Sequence, residues 1–355
     1  MGKRIKSIDV AKGIAIIAII MGHLGYTSIF PNRGDTIATA VFQFHVPVFF
    51  ILSGYTLNTK KPIRSFVSDR ARRLLIPYWF TCLIVFLILV SYAHLLGRTA
   101  PPSIYPRIRN MLIAALYGAG SPNPPLPVGV MHIGAIWFLE ALFIALCEIR
   151  LVLSYSRVAA IPVALLAFGS AVAAQYVYPP FNIFPGLIGG FYVYIGYLMK
   201  KRRSLEREVR CWHLIPTLTV FLIALYFKIN VSVIAGSFGK YWLGLPVSLS
   251  SSYLCIQIAE LVSSHLPKMT RLLSYFGINS LVILSIHLVF LDCGLKWSLY
   301  NAGVPTNNNI LYFINFSIQL LLAYAYTLLV NGNAFLRSIY GINEISHIGV
   351  IHEKH

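Results

Sequence analysis

Acidic side chains are scarce in this sequence: 11 Asp and Glu stand against 29 Lys and Arg in 355 residues, a formal charge of +18. Charge of either sign is scarce too, at 11% of the chain, where soluble proteins carry about 25%. A soluble globular domain is thereby excluded. The five cysteines, Cys82, Cys147, Cys211, Cys255 and Cys293, are isolated. With no C-x-x-C or zinc-type spacing, neither a disulfide framework nor a metal site is expected, and they read as packing residues. No G-x-S-x-G elbow occurs, which argues against a soluble-type serine nucleophile. The Lys and Arg residues are not interleaved with aromatics along a soluble surface, so nucleic acid is not the expected partner.

What is abundant is apolar sequence. Hydrophobic residues make up 57% of the chain and mean hydropathy is +0.72. They come in runs near the length that crosses about 30 Å of hydrocarbon at 1.5 Å per residue. The expected fold is all-α, a polytopic membrane protein with about ten transmembrane helices in one domain over residues 1–355. The spans are placed at 8–26, 37–57, 74–96, 134–151, 158–178, 183–199, 214–229, 241–265, 274–296 and 309–330. The N-terminal run is interrupted by Asp9 and Lys12 and followed by no small-x-small cleavage site. It therefore reads as a retained first helix and not as a cleaved signal; Lys6 also breaks the myristoylation pattern.

The bias of Lys and Arg between loops sets the orientation. With the N-terminus inside, the cytoplasmic segments hold 21 of them, the outer segments hold seven, and Lys12 is intramembrane. The expectation is N-in and C-in, with the basic loops facing anionic headgroups or anionic cytoplasmic ligands. The longest outer connection, about 97–133, is rich in Pro and Gly, and reads either as a cover over a site or as a plain connector.

Charged groups at mid-bilayer cost at least about 2.5–3.5 kcal/mol on insertion scales, so those present are functional candidates. On the first helix Lys12 and His23 are 11 positions apart, which brings them within about 20° of one face and roughly 16 Å apart along the axis. Asp9 lies on the same stripe, three residues before Lys12. Lys12 alone also reads as a snorkelling cation, and His23 as a hydrogen-bonded packing group. On the second helix His45 precedes Pro47, and Ser53-Gly54 follows; such a helix faces protein or a wet cavity. Arg70 and Arg73 share a face at the start of the third helix, and paired guanidinium forks suit phosphate. Trp137 and Glu140 on the fourth helix and His287 on the ninth complete the candidates. A His-x4-Asp pattern from His287 to Asp292 turns about 140° on a helix and is read as coincidence.

These residues, in this order, resemble the acyltransferase-3 family of membrane O-acyltransferases that modify carbohydrates. The likeness rests on Lys12-x10-His23 within IDVAKGIAIIAIIMGH, on FHVPVFFILSGY, on the Arg70-x-x-Arg73 pair, on WFLEAL and on GINSLVILSIH. It spans most of the membrane region, with the specific motifs concentrated in residues 4–78. One departure stands out: the family's first-helix basic residue is usually Arg, whereas Lys12 keeps the charge and loses the bidentate fork. No hydrolase-like domain of the kind some relatives append is expected.

The resemblance implies transfer of an acyl group, usually acetyl, from a coenzyme A thioester to a sugar hydroxyl. Acetyl-CoA or another acyl-CoA would serve as co-substrate with no bound cofactor, the partners being a carbohydrate acceptor and the lipid bilayer. The implied location is the bacterial inner membrane. In that scheme Arg70, Arg73 and Lys12 meet the acyl-CoA, with Lys12 guiding its arm or pairing with Asp9. His23 acts as general base, its ordinary pKa of about 6.5 suiting neutral pH, or as a transient acyl carrier. His45, Ser53, Trp137, Glu140 and His287 orient or bind the acceptor. The alternatives are an exporter of a lipid-linked saccharide, since ionisable residues also mark transport paths, and a sensor or structural subunit.

Overall fold

The computed structural model describes residues 5–25, 34–97, 104–120, 132–156, 158–206, 209, 211–239, 242–293 and 309–342. Among them there is no strand, only an isolated bridge between Ser232 and Ser237. The helices are α1 (Lys6–Gly25), α2 (Gly34–Phe42), α3 (His45–Tyr55), α4 (Ile63–Leu96) and α5 (Ile104–Tyr117). They continue with α6 (Trp137–Tyr155), α7 (Ala160–Ala173), α8 (Ile183–Lys201), α9 (Leu214–Tyr226) and α10 (Gly244–His265). The last are α11 (Pro267–Ile278), α12 (Ser280–Cys293), α13 (Asn309–Gly332) and the short α14 (Ala334–Tyr340).

An all-helical chain is what lipid demands, because each helix satisfies its own backbone groups. By length and composition, five of the described spans are able to cross a membrane, and six if the bent pair α11–α12 is one span. The helix α1 is 20 residues long but carries Lys6, Asp9 and Lys12, and α7 and α9 are apolar but shorter. Large apolar side chains face outward on α4 (Leu83, Leu87), α7 (Leu165, Phe168), α9 (Ile215, Leu222) and α13 (Leu321, Leu329). Such a surface is at home in lipid and not in water.

The helix α1 lies at the centre, packed by α2, α3, α10, α11, α12 and α13. Its Val10, Ala11 and Ala15 are fully buried. Two crossings are so close that no side chain fits between the backbones. A Cβ added at Gly277 would sit 1.8 Å from the Asp9 carbonyl oxygen, and one at Gly13 2.0 Å from that of Leu273. Between α3 and α8, the same holds for Gly54 against Val193 (1.9 Å) and Gly196 against Ile51 (1.8 Å). Small residues at such crossings let helices associate by backbone packing where lipid supplies no hydrophobic drive.

Several boundaries differ from expectation, each for a local reason. The second span is broken at Gln43 and Phe44. Pro47 lies four residues after Gln43, has no N–H for that carbonyl and crowds it, so the helix restarts with Pro47 in its first turn. The ninth span also fails to run straight. It begins within α11, which lies along α1, and turns by 67° at Asn279 into α12. The third starts at Ile63, not 74; its 34 residues reach about 51 Å, longer than the roughly 30 Å of hydrocarbon. The connection over 97–133 contains α5; the Pro-rich stretch from Pro122 to Pro127, like Pro101 and Pro102, lies outside the described residues.

Candidate active site

The helix breaks bring imidazoles from three helices together. His23, near the end of α1, meets His287 of α12 edge-on, with ring centroids 5.2 Å apart. Phe42, the last residue of α2, packs edge-on against His23 at 5.8 Å and against His45 at 4.8 Å. His45 and His287 both lie within electrostatic range of His23. Thus His23 sits between the other two; it is partly buried, and they are 8% and 3% exposed.

Backbone hydrogen bonds fix the state of two rings. His23 Nδ1 lies 2.8 Å from the Ile19 carbonyl, and His45 Nδ1 3.0 Å from that of Val41. A carbonyl only accepts, so Nδ1 donates in both and each neutral ring keeps its lone pair on Nε2. The Val41 carbonyl also accepts the Phe44 N–H at 3.2 Å, in the tightened turn that closes α2. His287 Nδ1 is 2.8 Å from the Gln319 side-chain oxygen on α13, and its Nε2 has no partner among the described residues. Among those residues, no three His, Cys, Asp or Glu side chains gather as a metal site.

The remaining sequence candidates fall in four other places. Asp9 and Lys12, both partly buried, occupy the turn of α1 gripped by Gly277 of α11, with Lys12 roughly 16 Å and Asp9 roughly 21 Å from His23 along the axis. Arg70 stands over the Phe66 ring at 5.2 Å, and within electrostatic range of Arg73 and Cys147; Arg73 is exposed. Ser53 lies about 12 Å along α3 from His45, and its carbonyl accepts a hydrogen bond from Thr56.

Glu140 belongs to a different assembly from the imidazoles. Asn182 Nδ2 donates to it at 2.7 Å and also to the Gly118 carbonyl, while the Tyr178 hydroxyl donates to Asn182 Oδ1. Asn182 adopts the left-handed conformation with φ 51°, which Asn tolerates better than most residues, and so turns its amide inward. The network ties α5, α6 and the start of α8 together. Trp137 lies one turn earlier, against Gly120, where a Cβ would come within 2.2 Å of its ring.

Three polar groups of the interior escaped the sequence reading. Asn315 and Gln319, each 3% exposed, stand one turn apart on α13 and face α12. They are uncharged, so a search for charge passes over them; their i, i+4 spacing in an apolar run is the signal that marks them. Glu148 of α6 is buried against Gly190, with neither carboxylate oxygen partnered among the described residues. As a carboxylate inside an apolar run it carried a readable signal.

Comparison with known proteins gives a consistent picture. A family model described as an acyltransferase domain matches residues 5–330. Nodulation protein NolL of Sinorhizobium fredii is 38% identical over 100 residues, covering 26% of this chain and 27% of that protein. Nodulation protein NolL of Mesorhizobium japonicum is 26% identical over 158 residues, covering 42% and 36% respectively. The matches thus span about a quarter to a third of the length of these curated relatives. No solved structure matches.

Proposed function

Because this chain belongs to the acyltransferase-3 family, whose model covers residues 5–330, and is a membrane acyltransferase, we propose that its donor is a cytoplasmic acyl-CoA, in the first place acetyl-CoA. The acceptor is a hydroxyl of a cell-surface glycan or its lipid-linked precursor, and the location is the bacterial inner membrane. The observation that carries this reading is the placing of His23 between two further imidazoles, at the centre of the helix bundle. Its tautomer supports the role: with Nδ1–H held by the Ile19 carbonyl, Nε2 offers a lone pair to an incoming O–H.

The acceptor hydroxyl gives its proton to His23 Nε2 as its oxygen bonds to the thioester carbonyl carbon. The carbon–sulfur bond then breaks, and the departing thiolate takes the proton from the imidazolium, leaving an ester and free coenzyme A. A two-step course, with the acyl group held on Nε2 before transfer, uses the same lone pair. Arg70 and Arg73 hold the coenzyme A phosphates at the cytoplasmic mouth, and Lys12, between them and His23, guides the arm. His45 orients the reacting groups from the other side of Phe42; Ser53, Trp137 and Glu140 act as supports of the bundle.

Export of a lipid-linked saccharide is the second reading, and the 67° break at α11–α12 favours it, since discontinuous helices line transport sites. Incubation of purified wild type and His23→Ala with radiolabelled acetyl-CoA and a mixed pool of cell-envelope glycans separates the two. Both variants are first matched for folding by size-exclusion chromatography. Wild type is expected to transfer label, and the variant to lose about 10²–10⁴-fold in rate. Equal transfer by both removes His23 from the chemistry. Saccharide binding without transfer by either favours export.

A further inference from the structure

The imidazole cluster has a polar flank on α13 that the chemistry above leaves unused. His287 Nε2, the Gln319 side-chain nitrogen and Asn315 Oδ1 are all buried and all without a hydrogen-bond partner among the described residues. A buried polar group left unpaired costs about 1–3 kcal/mol, so such atoms in one patch call for an occupant. A cavity of about 10 Å³ borders two of them, lined by Ile20 of α1, His287 and Phe290 of α12, and Gln319 and Ala323 of α13; it has room for about one water-sized group such as a single hydroxyl.

The chemistry of that occupant is narrowly set. With Gln319 accepting from His287 Nδ1, as placed, His287 Nε2 accepts and the Gln319 amide donates. If the amide is turned over, the roles of both exchange. In either sense the pair offers one donor and one acceptor, the complement of a hydroxyl group. The other lining residues are apolar and no cation is among them, so a phosphate or carboxylate would be buried unpaired. An uncharged alcohol fits and a coenzyme A phosphate does not.

We infer that His287 and Gln319, with Asn315 one turn away, seat one hydroxyl of the acceptor, the neighbour of the hydroxyl that reacts at His23. The inference rests on the acyl-transfer reading and gives that reading its acceptor subsite: a neutral polyol held by an imidazole and an amide. The 5.2 Å spacing of the His23 and His287 rings puts the acceptor hydroxyl next to the one seated at His287 within reach of His23. Asn315 stands one turn from Gln319 toward the outer end of α13 on the N-in orientation, on the side from which a glycan arrives, and its free oxygen accepts from a neighbouring hydroxyl. Gln319 and Asn315 are positioning residues; the proton goes to His23.

The test uses the full chain in detergent, radiolabelled acetyl-CoA and the envelope-glycan fraction that wild type labels, with KM measured separately for each substrate. Gln319→Leu and Asn315→Leu are each expected to raise the acceptor KM about ten-fold and leave the acetyl-CoA KM unchanged. Gln319→Asn, which keeps the uncharged amide head, recovers part of the loss, and Gln319→Met replaces the Leu variant if that one does not fold. A lower unfolding temperature with both KM values unchanged means the cavity holds only a buried water, and overturns the inference. Equal shifts in both KM values mean a packing role, and overturn it too. Absence of transfer by wild type overturns the acyl-transfer reading itself, and this inference with it.

Discussion

Arg70 and His23 ask for different things of their side chains, and substitution separates them. At Arg70 the proposed partner is a phosphate, so geometry matters as well as charge. Arg70→Lys keeps the charge and loses the fork; it is expected to raise the acyl-CoA KM several-fold, and Arg70→Ala about ten-fold or more. Arg73→Ala should behave in the same direction, with the acceptor KM unchanged in each case, as initial rates at varied acetyl-CoA would establish. A rise in the acceptor KM alone would place the pair elsewhere. Lys12 lies on the same stripe of α1 as His23, roughly 16 Å from it along the axis. At Glu140 the bond from Asn182 at 2.7 Å accounts for the side chain without any substrate.

At the scale of elements, the central feature is how tightly α1 is clasped. Gly277 leaves 1.8 Å between an added Cβ and the Asp9 carbonyl oxygen, and a backbone atom in a packed helix has nowhere to retreat. Gly277→Ala must therefore push α11 from α1, at a cost of at least about 1–3 kcal/mol. It should lower the detergent unfolding temperature and reduce transfer together, because α1 carries His23 and α11 leads into the helix of His287. Gly332→Ala serves as the control: nothing lies within 4 Å of a Cβ there, and stability should be unaffected. The two helix breaks belong to the same scale. Pro47 accounts for the one before His45, and Asn279 marks the 67° turn from α11 into the helix of His287.

For the whole molecule, orientation decides which substrate meets which end. With 21 Lys and Arg on one side of the expected spans and seven on the other, the basic face holding Arg70, Arg73 and Lys200 is expected to be cytoplasmic, the side where coenzyme A is found. Single cysteines at Arg203 and Ser232, introduced into a cysteine-free chain, test this with a membrane-impermeant maleimide. Ser232→Cys is expected to react in intact cells and Arg203→Cys only after permeabilisation. The reverse pattern would turn the protein over and remove coenzyme A from the arginine pair.

The sequence by itself determined the solvent and the class of fold. A chain with so little charge and such long apolar runs belongs in lipid, and lipid permits a self-satisfied helix. It also determined the stripe of Asp9, Lys12 and His23, because residues on one helix are related by a fixed 100° turn. The pairing of Arg70 with Arg73 is local in the same way. Only the tertiary structure decided that His23 lies between His45 and His287, that Glu140 is drawn instead to Asn182, and that Gln319 and Asn315 flank the imidazoles. The reason is physical: a helix in lipid is apolar on the face that meets lipid and on the face that meets protein. Hydropathy therefore does not say which faces pair. Glycine contacts, helix breaks and a few buried amides settle it, and they act between residues far apart in the chain.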